Sequence, residues 1–172
     1  ITNRSTEREK MNKAVPYLPI LCALSAFCVF FAYILEIASF PGSGLDHYNS
    51  KVYMLFFNVT DMASYVAMSE GLLKGNWPTE PYYYAPLYAY ILAIPLLFSK
   101  QMIFIAFFQA LIASATVWLT VKCGERLFGL KAGLLAGASL FLYGGYAYFT
   151  AVPHSTVSEV FLCTLSFWIF LR

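Results

Sequence analysis

The chain has 172 residues, of which 60% are hydrophobic, 19% aromatic and 12% charged, with a mean hydropathy of +0.65. Soluble domains carry roughly 25% charged residues, so about half the usual solubilising charge is missing and an integral membrane protein is expected. A net charge of +2 is too small for a nucleic-acid surface. The four cysteines, Cys22, Cys28, Cys123 and Cys163, lack zinc-type spacing and read as small packed thiols, not as a disulfide framework.

The first apolar run extends from Ala14 to Phe40, interrupted only by Glu36, and is long enough to span a bilayer. It exceeds the roughly 7–15-residue apolar region of a secretory signal. Arg4, Arg8, Lys10 and Lys13 precede it and put the N-terminus on the cytoplasmic side. Pro16 and Pro19 fall in its first turns, where a missing helical donor costs least. The chain opens without a methionine and stops just after an apolar run, as expected of the N-terminal portion of a longer protein.

A polar segment follows, from Pro41 to about Pro81, and is therefore extracytoplasmic. Within it, residues Tyr53 to Leu73 have helical spacing, with Met54, Phe57, Tyr65, Met68 and Leu72 on one apolar face and Gly71 and Gly75 as stops. This predicts an amphipathic helix lying in the membrane interface. Trp77 and the tyrosines at 82–84 suit headgroup depth.

The next run, Pro86 to Phe98, is short of the ~20 residues a crossing needs and contains Pro95. If it spans, there are five crossings and Lys122, Arg126 and Lys131 lie outside. If it is re-entrant or superficial, four segments cross: 14–40, 102–121, 132–149 and 157–171. The second arrangement gathers Lys122, Arg126, Lys131 and Arg172 beside the basic N-terminus, and the positive-inside bias favours it. The expected fold is an all-α integral membrane unit of about four transmembrane helices, with amphipathic helices in an extracytoplasmic loop over 41–101. Gly124, Gly129, Gly133 and Gly137 suit close helix packing, the last two as a small-xxx-small face.

Four crossings return residues 152–159 to the outer side with Asp61, gathering Asp61, Glu70, His154 and Glu159 there. Ionisable groups at a membrane boundary are functional candidates. Asp61 and Tyr65 are four residues apart, on one helix face; the carboxylate could take a proton from an acceptor hydroxyl or hold a divalent cation. Its plainer reading is a solvated or capping acid. Glu159, a second acid or metal ligand, has the plainer reading of a helix-start carboxylate. His154 could bind metal or shuttle protons, or be a solvated loop histidine. Tyr83 and Tyr84 belong to an aromatic belt or line a lipid or sugar groove. The chain has no Gly-rich phosphate loop, G-x-S-x-G elbow or H-E-x-x-H helix.

At these residues the chain resembles a known family. The basic N-terminus, one span, Asp61 followed by Tyr65, the stretch Ala67-Met-Ser-Glu-Gly-Leu-Leu-Lys-Gly-Asn-Trp77 and Pro86-Leu-Tyr-Ala-Tyr90 are similar to the opening of GT-C fold membrane glycosyltransferases. The family 39-like group, with the protein O-mannosyltransferases and the lipid A aminoarabinose transferase, is nearest. Arg126-Leu-Phe-Gly-Leu-Lys-Ala-Gly133 and Ser158-Glu-Val-Phe161 also look like bacterial members.

The resemblance implies transfer of a sugar from a polyprenyl-phosphate carrier to a hydroxyl acceptor on a protein, glycan or lipid. The site would lie on the extracytoplasmic side of a bacterial or archaeal inner membrane, or of the endoplasmic reticulum. Asp61 would be the base or acceptor-orienting acid, Glu159 the second acid, and Tyr65, Tyr83, Tyr84 and His154 substrate contacts. A cation or basic side chain would stabilise the departing phosphate. Where the aminoarabinose-type enzymes have Glu-Lys, this chain has Tyr83 and Tyr84, and Met62 follows Asp61 where the O-mannosyltransferases have a second acid. The rival expectation is a non-catalytic transporter or assembly subunit.

Overall fold

The computed structural model describes residues 17–39, 61–77 and 85–172. Among these, every regular element is helical: α1 (Leu18–Ser39), α2 (Asp61–Leu73), α3 (Pro86–Phe98), α4 (Met102–Phe128), α5 (Leu130–Leu142), α6 (Gly144–Ala151) and α7 (Thr156–Leu171). Two helices, α1 and α4, are long and apolar enough to cross a membrane, and α5 with α6 makes a third if the bent pair counts as one. Among the described residues the expectation of an all-α chain holds, with two to three helices long and apolar enough to cross a membrane.

α4 is the central element. Its 27 residues extend for about 40 Å, and Ala106, Ala110 and Ala113 on it are fully buried or nearly so. Their small side chains admit α1, which turns Ala26, Phe30 and Ile34 inward at four-residue spacing while Leu21, Leu24, Val29 and Leu35 stay on the surface. For a lipid-facing helix such an exposed apolar side is the ordinary state. Phe27 and Phe31 stack at 5.8 Å, and both meet Phe107 edge-on, at 5.7 and 5.6 Å. Phe31 lies by Ile103 and Phe104, while Cys22 lies by Gly137, which packs on Val117 and Val121, so α1 runs antiparallel to α4.

α4 ends at Gly129, whose φ of +90° permits the reversal into α5 and whose N–H donates to the Glu125 carbonyl at 2.9 Å. α5 then packs back on α4 at backbone contact. A Cβ on Gly124 would lie 2.7 Å from the Gly133 Cα, and one on Gly133 would strike the Val121 carbonyl and the Glu125 nitrogen. Gly137 faces the Val121 side chain just as closely. Close packing thus accounts for Gly124, Gly133 and Gly137, whereas Gly129 has open space around it and serves the turn.

The segment 132–149, expected as one span, is two helices bent by 57°. Tyr143 is extended (φ −73°, ψ 104°) and is followed by Gly144 and Gly145, which have little helix propensity to carry the helix through. α7 returns alongside α4, with Trp118 and Trp168 6.2 Å apart near its far end. The helix expected over 53–73 is described from Asp61 onward; Met54 and Phe57 lie outside the described residues. Gly75, at φ +80°, ends the chain's helical course after Leu73, and Gly71 sits within α2. All four cysteines are free; Cys28 and Cys163 are exposed on the helix surfaces instead of packed inside.

Candidate functional site

α2 and α3 form a small second core with the start of α4, made of Tyr65, Val66, Tyr88, Leu92, Leu96, Met102 and Ile105. α3 is about 20 Å long, too short for the ~30 Å hydrocarbon layer. It starts on Pro86, where a missing N–H costs nothing, and carries Pro95 inside. The Ser69 hydroxyl, fully buried on α2, is shared between the Tyr65 carbonyl at 2.7 Å and the Ala89 carbonyl of α3 at 2.8 Å. Glu70 pairs with Lys100 at 3.6 Å, tying α2 to the α3–α4 connection. Glu70, one of the acids expected on the outer side, is thus on a helix and in an ion pair.

This unit meets the α6–α7 turn through Gln109. The Tyr88 hydroxyl donates to Gln109 Oε1. The Gln109 amide nitrogen donates in turn toward the carbonyls of Phe149 (3.2 Å), Thr150 (3.0 Å) and Val152 (2.6 Å). The last carbonyls of a helix have no intrahelical donor, so Gln109 caps the C-terminus of α6 from the side. Pro153 follows, and the chain turns into α7.

His154 closes the turn. Its Nδ1 accepts the Thr156 backbone N–H at 3.2 Å and lies 2.7 Å from the Thr156 hydroxyl, so the ring caps the start of α7. An accepting Nδ1 puts the ring proton on Nε2. The ring packs 5.0 Å from Phe149 and 6.4 Å from Tyr65, and Tyr65 meets Tyr88 edge-on at 4.8 Å. A chain of rings and one amide therefore joins α2, α3, α4 and the α6–α7 turn.

The sequence-derived candidates divide into three groups. Tyr65 and His154 come together, but Tyr65 is 4% exposed and spent on packing, which makes it a positioning residue for α2 and not an open face for a sugar. Asp61 and Glu159 are both exposed, each in the first turn of its helix, where the dipole favours a carboxylate. No hydrogen bond or ion pair joins them; Asp61 and Tyr65 lie four residues apart on one face of α2, Asp61 exposed in the first turn and Tyr65 buried. Tyr83 and Tyr84 lie outside the described residues. Among the described residues no three His, Cys, Asp or Glu side chains converge as a metal-ligand set.

Sequence reasoning passed over Gln109, Tyr88 and Ser69, the polar residues that build the junction. Gln109 left a signal: it is the one amide in the apolar stretch 102–121. A polar side chain at such depth needs partners from another helix.

No protein-family model matches the chain, and no curated protein or solved structure matches it.

Proposed function

We propose that this chain forms the membrane-embedded part of a glycosyltransferase that moves a sugar from a polyprenyl-phosphate donor to an extracytoplasmic hydroxyl acceptor. The observation that supports it most is the docking of α2 and α3 on the α6–α7 turn, through the Tyr65–His154 and Tyr88–Gln109 contacts. It brings the segments bearing Asp61 and Glu159 to one end of the helices, with both carboxylates open to solvent. The arrangement of the chain also favours four crossings, with α1, α4, the α5–α6 pair and α7 running alternately toward and away from that end.

In the reaction, the acceptor oxygen attacks the anomeric carbon while Asp61 takes its proton. The bond from that carbon to the phosphate oxygen breaks, and polyprenyl phosphate leaves with the electron pair. The departing phosphate needs a positive partner, a divalent cation or a basic side chain. Lys100, 69% exposed at this end, is one such group among the described residues. Glu159 is the second acid, His154 and Tyr65 hold the two segments together, and Tyr83 and Tyr84 contact the sugar or lipid.

The test is transfer of labelled sugar from a polyprenyl-phosphate donor by the full-length protein in membranes. Asp61→Asn is expected to lower the rate by about 100-fold or more, the scale of a lost general base, with unchanged melting in detergent. Glu159→Gln should lower it less. Full activity in both variants would sink the reading and leave the transporter or assembly-subunit alternative. For topology, in a background lacking the native cysteines, Asp61→Cys and Glu159→Cys should both react with an impermeant reagent from outside, and Lys131→Cys should not.

A further inference from the structure

The end of the helices opposite Gln109 carries a cleft of about 370 Å³ lined by Lys122, Glu125, Arg126 and Trp168. It lies about 25 Å along α4 from Gln109, so it is separate from the candidate catalytic end. We propose that this cleft binds the phosphate headgroup of an anionic phospholipid. The inference does not rest on the glycosyltransferase reading.

Charge and shape both support it. Lys122 and Glu125 neutralise each other at 2.8 Å, one turn apart and each about a third exposed. That leaves the Arg126 guanidinium as the net charge of the lining, with Arg172 beside it through Trp168 and Arg126. One Arg126 nitrogen donates to the Arg172 carbonyl at 2.7 Å, while the residue as a whole is exposed. The Arg172 guanidinium sits over the Trp168 ring, 5.3 Å from its centroid, a cation–π contact. Planar forks of N–H donors match a phosphate bidentately, and tryptophan is at home at headgroup depth.

A lipid is favoured over soluble phosphate by the setting: the cleft opens near one end of α4, a helix long and apolar enough to cross a membrane, and its wall is Trp168, a ring suited to headgroup depth.

The experiment is native mass spectrometry of the full chain in detergent, titrated with phosphatidylglycerol, phosphatidylcholine or inorganic phosphate. Phosphatidylglycerol is expected to bind and phosphatidylcholine to bind at least tenfold more weakly. Arg126→Gln and Arg172→Gln should each weaken phosphatidylglycerol about fivefold, the scale of one cation near an anionic membrane surface. Glu125→Gln frees Lys122 and should tighten binding by a similar factor, a gain that misfolding cannot produce. Equal binding of the two lipids, or no change in all three variants, overturns the proposal. So does inorganic phosphate displacing phosphatidylglycerol at equal concentration, which would make the cleft a soluble-phosphate site.

Discussion

The α4–α5 contact and the Gln109 junction hold helices together by different means. Between α4 and α5, Gly124, Gly133 and Gly137 bring backbone to backbone, and even one added carbon has nowhere to go. At the junction the elements are bridged by polar and aromatic side chains: Tyr88 to Gln109, Gln109 to the end of α6, Ser69 to α3 and the Tyr65 ring to His154. In a bilayer no hydrophobic force draws helices together, so close packing and polar bridges are the available means.

Four changes test that contrast, the largest effect first. Gly133→Leu should destabilise the protein by more than about 3 kcal/mol, beyond ordinary overpacking because the obstruction is backbone, and is read as loss of a monodisperse folded species in detergent. Gln109→Leu strands the Tyr88 hydroxyl and the three carbonyls at the end of α6, and should cost about 2 kcal/mol. It should also raise labelling of a cysteine placed at His154, which Gly129→Ala, at the α4–α5 turn, should leave unchanged; equal labelling in both would erase the distinction between the regions. Gly129→Ala forces a side chain into positive φ and should cost about 1–2 kcal/mol, seen as a lower melting temperature without loss of the α4–α5 contact. Glu70→Gln removes a long, half-solvated ion pair, and its effect on melting should stay below about 0.5 kcal/mol and vanish in high salt.

Much of the architecture was legible because it depends on periodicity and apolar length alone. The runs 14–40 and 102–121 announce membrane-length helices, and α1 and α4 occupy them, α4 continuing to Phe128. The short run 86–98 is a helix of those same limits. The break at Tyr143 was missed because hydropathy is blind to the backbone, although Gly144-Gly145 stood in the sequence as its cause. At the candidate site, Asp61 and Glu159 were visible as isolated acids in an apolar chain. Tyr65 drew notice for its spacing from Asp61, yet its ring packs inward on α3. Gln109 and Ser69 went unremarked because their importance lies in partners 40 and 20 residues away.

By itself the amino-acid pattern determined the apolar character of this protein and the helical state of its described segments, since both follow from local composition and periodicity. Only the tertiary structure decided which helix is central, that α2 and α3 dock on the α6–α7 turn, and that Lys122, Arg126 and Trp168 line one cleft. Those are contacts between distant segments, set by how side chains of particular size and polarity fit across helices, and no local periodicity encodes that fit.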